Sequence, residues 1–156
     1  MQTFLPNSNI KISVTCLDRQ RLGKQRVETW SILQNLLGQN SGWVNHPVVK
    51  MWKGSEYILC IYGIVSCKEW KARGYKDNML TKFQELRMSL RHIPGFTIAN
   101  IVDPWWMGHA EFHSAHRAAL LHKNYSWYGN FGWTEVPREG YLWPDNETRM
   151  FRDLRK

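Results

Sequence analysis

SEYILCIYGIVSCKEWKAR, residues Ser55–Arg73, contains the longest apolar run of the chain. Tyr57, Ile58, Leu59, Ile61, Tyr62, Ile64, Val65 and Trp70 make it apolar almost all round. A helix of that kind has no face to give to solvent and must run through the middle of the molecule. Ser55 is a good N-cap and Gly74 a good stop. The longest apolar run, Tyr57 to Cys67, is too short and too interrupted to cross a bilayer. Cys60 and Cys67 sit seven apart in this helix, roughly 10 Å at the usual rise, so they cannot pair with each other. With Cys16 the count is three, an odd number that fits a reducing compartment. No signal peptide is read, and the expected location is the cytoplasm, or the nucleoid.

Helical patterning flanks this centre on both sides. From about Ile12 to Leu37 the apolar Leu22, Leu33, Leu36 and Leu37 fall on one side, and Gly38 ends the run. A further helix is expected over about Asp77 to Arg91, carrying Leu80, Phe83, Leu86 and Leu90, and another over roughly Gly108 to Lys123. Met1 to Asn9, broken by Pro6, reads as an extended arm. Residues 39–47 (QNSGWVNHP) are turn-rich, and Phe96 to Trp106 reads as a loop, Pro104 counting against a strand. Asp145 to Lys156 is highly charged and reads as a helix or a loosely held tail. The expected architecture over residues 1–156 is all-α, a single-domain bundle of about four helices with long aromatic-rich loops, and a monomer.

The charge balance points to a polyanion. The chain carries 21 Lys and Arg against 13 Asp and Glu, a net charge of +8, which favours nucleic acid as partner. Nine Trp, six Tyr and six Phe supply rings that stack on bases or fill a core. LDRQRLGKQRVETW, Leu17–Trp30, concentrates this chemistry. On a helical wheel Leu17, Arg21, Lys24, Glu28, Ser31 and Asn35 share the face opposite the leucines, so one acid sits beside two cations. Arg19 and Arg26 project nearer the apolar edge.

HAEFHSAH, His109–His116, places His109, His113 and His116 along one side of a helix. Zinc is the less favoured use, because Glu111 points about 160° from His113 and no cysteine pair is near. Histidines facing DNA phosphate are the expected outcome, with no metal and no cofactor. WYGNFGW, Trp127–Trp133, packs four rings around two glycines beside Arg117, His122 and Lys123. It reads either as a lid on the core or as a loop that contacts bases or backbone, through Trp127, Tyr128, Arg117 and Lys123. No G-x-S-x-G turn and no phosphate-cradling glycine motif occurs, which sets aside those nucleophilic and P-loop chemistries.

Taken in order, these segments resemble the pyrimidine-dimer DNA glycosylase family, the small endonuclease V-like glycosylase/AP-lyases. The basic helix with its glutamate, Asp18 to Glu28, resembles the family's. KEWKARGY, Lys68–Tyr75, resembles a family helix that ends in basic residues and Gly-aromatic. His109 to Gly132 resembles the closing pattern, with Trp127, Tyr128, Phe131 and Gly132 in matching places. The opening MQTFLP with LGKQRVE further on looks like that of a group of short bacterial proteins related to the family.

The resemblance implies an all-α domain that binds and bends double-stranded DNA. It also implies a DNA glycosylase with AP-lyase capacity, acting on a damaged or modified pyrimidine. An amine attacks the sugar C1′ and a carboxylate assists ring opening and elimination. Glu28 is the natural carboxylate, with Asp18 as fallback, and Arg19, Arg21, Lys24 and Arg26 hold phosphates. Two departures stand out. The family nucleophile is an α-amine exposed by methionine removal, whereas the large Gln2 should leave Met1 in place. The amine is then that of Met1, or of a lysine such as Lys24, or water replaces it. Ungapped alignment of the family's Arg-Glu-x-Pro-Arg-Val puts Gly23 where Glu belongs, and only a shifted register brings Glu28 there. The competing reading is a non-catalytic module that binds distorted or modified duplex.

Overall fold

The computed structural model describes all residues, 1–156. Seven helices carry the fold: α1 Ile10–Thr15, α2 Arg19–Leu36, α3 Pro47–Trp52, α4 Glu56–Ala72, α5 Leu80–Leu90, α6 Ala110–Lys123 and α7 Tyr125–Tyr128. Two short strands follow, β1 Leu142–Asp145 and β2 Met150–Asp153, paired antiparallel with Leu142 opposite Asp153. The chain is therefore mostly helical with a small two-stranded sheet, not wholly α.

α4 is the buried centre that its apolar periphery dictates. Ile58, Leu59, Cys60, Tyr62, Ile64 and Cys67 are buried on it, and α1, α2 and α5 pack around it. Gly63 lets α5 approach, because a Cβ there would stand 2.5 Å from Phe83 Cδ1 and 2.7 Å from Cζ. Phe83 in turn meets the Trp30 ring of α2 edge-on at 5.4 Å. One contiguous apolar cluster joins these helices to α3, α6 and the arm.

The helix expected from about Ile12 to Leu37 is two helices. α1 is capped by Asn9, whose side chain accepts the Ile12 N–H, and the chain breaks at Cys16–Asp18 before α2 begins. Tyr128 of α7 pins that break: its hydroxyl accepts the Asp18 N–H at 3.0 Å and donates to the Asp18 carboxylate. α3 follows directly on the turn-rich residues and shows no period of its own, although Pro47 is well suited to the first turn and His46 caps it by accepting the Val48 N–H. Phe96 to Trp106 is a loop with one 3₁₀ turn over Ile98–Ile101.

The charged C-terminal segment is neither helix nor loose tail. β1 sits on α3 and carries β2 beside it, and Phe151 of β2 packs on Trp105 and Phe112 at 5.2 and 5.9 Å between ring centres. Beyond β2, the N–H groups of Leu154 and Lys156 donate to the carbonyls of Tyr141 and Glu139. Gly140 is required there, with φ +100° and Arg155 Cα 2.7 Å from where a Cβ would stand.

The arm is the feature that positions the site. Gln2 to Pro6 is extended yet buried, so its backbone groups must find protein partners instead of water. Side chains supply them. Phe4 N–H donates to Gln25 Oε1 at 2.9 Å, and Tyr62 OH donates to Phe4 O at 2.8 Å. Arg117 Nη1 donates to Pro6 O at 2.8 Å, and the arm is held by a side chain of its own as well, Thr3 Oγ1 accepting from Trp52 Nε1 at 3.0 Å.

Candidate active site

The polar face of α2 forms one wall of a cleft of about 180 Å³. Arg21, Lys24 and Glu28 line it together, as their spacing of three and four residues requires, and Met1 lines it from the arm. Lys123, from the last turn of α6, and Tyr141 close the other side. One carboxylate and three side-chain cations thus converge where the chain begins. The wheel grouping of Arg21, Lys24 and Glu28 corresponds to a real surface.

Glu28 and the chain start are linked directly. Glu28 Oε2 accepts the Gln2 N–H at 3.2 Å. Only three covalent bonds separate that nitrogen from the Met1 α-amine, which places the amine within about 7 Å of the carboxylate oxygen. Gln25, one helical turn before Glu28, sets this geometry from below. Its Nε2 donates to Gln2 O at 2.9 Å, while its Oε1 accepts the Phe4 N–H at 2.9 Å and lies 2.6 Å from the Tyr62 hydroxyl, whose single proton it shares with Phe4 O. Burial pushes the Tyr62 hydroxyl pKa well up, so it remains a donor. Burial likewise raises the Tyr141 hydroxyl to about 12.

The histidines expected to face DNA divide. His113 and His116 are buried and clasp the arm at one residue: Leu5 N–H donates to His116 Nδ1 at 2.9 Å, and His113 Nδ1 lies 2.7 Å from Leu5 O. Gly108 N–H donates to His113 Nε2, so His113 carries its proton on Nδ1 and His116 on Nε2. Burial lowers both pKa values, that of His116 to about 3, with the His113 charge a second cause. Two neutral rings of opposite tautomer read one peptide, which removes both from any DNA surface. The helical period carried this signal, since His116 is four residues from both Phe112 and Leu120, on the apolar side of α6. His109 is exposed and lies 3.4 Å from Glu111. No group of three or more His, Cys, Asp or Glu is placed to hold a metal ion.

Other expected DNA-facing residues are also committed internally. Arg26 is 8% exposed; its Nε donates to Asp77 Oδ1 at 2.8 Å and its guanidinium lies 5.0 Å from the Trp70 ring. It ties α2 to the start of α5 and holds no phosphate. Arg117 grips Glu135 through Nε and Nη2, both at 2.9 Å, besides Pro6 O. That bidentate pair, with Ser114, holds the Glu135 carboxyl below its usual range. Tyr128 is buried at the α1–α2 break and stacks on Trp133, so it is not a base-contacting ring. Asp18, the fallback acid, is buried between Tyr128, Arg21 and Asn124. Arg19 is exposed over the Tyr75 ring at 5.1 Å, and Trp127 is half out of the surface with its Nε1 donating to Cys16 O. All three cysteines are buried, and burial raises each thiol to about 12.

Gln20, Gln25 and Tyr141 join the cleft without having been singled out by sequence. Gln25 carries no motif, and Tyr141 arrives only because the hairpin folds back over the arm. The chain matches no curated protein and no solved structure. The family model described as pyrimidine dimer DNA glycosylase matches residues 1–83, just over half the chain, and spans Met1, Glu28 and the whole of α2 and α4. The chain belongs to the pyrimidine dimer DNA glycosylase family.

Proposed function

We propose that this protein removes a damaged pyrimidine from duplex DNA through an imine formed on the α-amine of Met1, with Glu28 as its proton-transfer partner. The observation that carries the reading is the cleft itself, in which the start of the chain and Glu28 share one small volume with Arg21, Lys24 and Lys123. Lys24 is the other amine in that volume. Met1 is favoured because the arm behind it is fixed through Gln2, Phe4 and Leu5, whereas Lys24 is an exposed, rotamer-rich side chain.

The chemistry balances without a cofactor. The amine lone pair attacks the sugar C1′, and the glycosidic C–N bond breaks with its electron pair leaving on the base, which takes up a proton. Loss of the amine proton and opening of the sugar ring give the imine. Glu28 then removes a C2′ proton, the electrons expel the 3′ phosphate as its C3′–O bond breaks, and water hydrolyses the imine to free the amine. Lys24 and Lys123, which enter no ion pair, bind the phosphates flanking that sugar, and Arg21, paired with Asp18 at 3.0 Å, adds to the positive potential that offsets charge on the leaving phosphate.

The test is glycosidic-bond cleavage, read as free base once the dimer has been photoreversed, together with strand cleavage, on a duplex containing a pyrimidine dimer. Glu28→Gln removes the proton acceptor while keeping shape. It is expected to abolish product while leaving duplex affinity within about twofold, since no phosphate-binding cation is removed. Full activity of that variant would contradict the assignment. Binding of the lesion duplex by wild type with no product at any time would instead support a non-catalytic recognition module.

A further inference from the structure

A second polar groove, of about 420 Å³, opens beside the cleft, between α3 and the hairpin. Lys50 and Lys53 line one wall and Arg152 the other, and Asn45 adds a neutral donor. None of Lys50, Lys53, Arg149 or Arg152 enters an ion pair. Two acids border the groove, Asp145, whose Oδ1 accepts the turn N–H groups of Glu147 and Thr148, and Glu147 at the exposed turn, so three cations face two carboxylates. The walls are fixed to each other. Asn146 Nδ2 donates to Lys50 O at 3.1 Å, and Asn146 Oδ1 accepts from Trp105 Nε1 at 2.8 Å.

The hairpin turn carries a backbone cost at a cation. Arg149 has φ +54°, the only non-glycine residue in the left-handed region. Glycine would sit there freely, whereas an L side chain costs roughly 1–2 kcal/mol. Strain of that kind accompanies function where the side chain is needed.

The groove adjoins the cleft. Tyr141 lines the cleft and Trp143 lines the groove, with their rings 5.4 Å apart. His46 packs edge-on against Trp143 at 5.7 Å, and its neighbours Asn45 and Pro47 line the groove. Burial lowers the His46 pKa and the positive charge of the Met1 ammonium lowers it further.

We propose that this groove is a second phosphate-binding surface, which takes the backbone of the duplex flanking the lesion while the cleft holds the damaged nucleotide. It rests on the DNA-directed reading above and extends it to the hairpin, which lies outside the matched residues 1–83. A duplex lying along both surfaces meets Lys50, Lys53 and Arg152 as phosphate partners and Arg149 at the hairpin tip.

The experiment measures affinity for an undamaged duplex of about three helical turns against salt, for wild type and for the triple variant K50A/K53A/R152A. Each cation that no longer neutralises a phosphate lowers the slope of log affinity against log salt by about 0.9, so a fall of about 2–3 and at least about tenfold weaker binding near 0.1 M salt are expected. An unchanged slope and affinity would overturn the surface. Glu147→Lys, which adds a cation at an exposed turn, is expected to raise both quantities, and no rise counts against the proposal. Base release by the wild type, run in parallel, keeps the two ideas apart. A slope difference without product supports the surface and sinks the enzyme, whereas product with identical slopes does the reverse.

Discussion

Gln25 bonds three groups with one amide: two peptide units of the arm and the Tyr62 hydroxyl. Gln25→Leu would leave the Phe4 N–H and the Gln2 carbonyl buried without partners, at about 1–3 kcal/mol each. Urea denaturation should register a loss of about 2–5 kcal/mol, and single-turnover base release should fall at least about tenfold at saturating duplex because the amine is no longer held. Gln25→Glu keeps the acceptor and loses the donor, so it should lie between the two. His116 makes a pH prediction. Its folded pKa, about 3, is below the unfolded value near 6.5, so between those limits the unfolded chain binds a proton that the native state refuses. Stability is then at its full value above about pH 6.5 and declines as pH falls towards 3, and His113 acts in the same direction. Melting temperatures from pH 7.5 to 5 should fall for wild type and stay flatter for His116→Gln, whose amide oxygen can accept the Leu5 N–H. Equal slopes would contradict the neutral clasp.

At the scale of elements, α2 sorts its cations by side. Lys24→Ala should lower the salt slope of duplex binding by about 1 and barely touch stability. Arg26→Met should do the opposite, with no change in slope and a stability loss of about 3–5 kcal/mol, because it strands a buried Asp77. Sequence already carried part of this distinction, since the helical period put Arg26 at the apolar edge and Lys24 with Glu28. What the period lacked was the partner, Asp77, fifty-one residues away. α4 was legible from composition alone, its register against α5 was not, and Gly63 sets that register. Gly63→Ala drives a methyl group into the Phe83 ring and should cost about 1–3 kcal/mol, readable in the same denaturation assay. The hairpin was illegible for a plain reason. Its strands are four residues each, with Pro144 in one and two apolar residues followed by two charged ones in the other, so neither period emerged.

At the scale of the whole molecule, the start of the chain is the most buried of its extended segments. Periodicity says nothing about an arm of six residues. Its position is set by α2, α3, α4 and α6 together, through Gln25, Trp52, Tyr62, His113, His116 and Arg117. Three residues whose sequence context suggested DNA binding, His113, His116 and Arg117, hold the arm instead, the two imidazoles at Leu5 and the guanidinium at the Pro6 carbonyl. The Gln2 side chain is buried, its Oε1 accepting the Thr3 N–H at 2.9 Å, and Met1, Gln2 and Phe4 of the arm all line the cleft. The central claim is that Met1 carries the reactive amine. It is tested most directly by adding borohydride to the protein on a duplex with an abasic site, then digesting the product and weighing its peptides. The account predicts a covalent DNA adduct on the peptide that begins with Met1, abolished when one residue is added before Met1 and retained in Lys24→Ala. An adduct on Lys24, or none at all while the abasic strand is still cut, would contradict it.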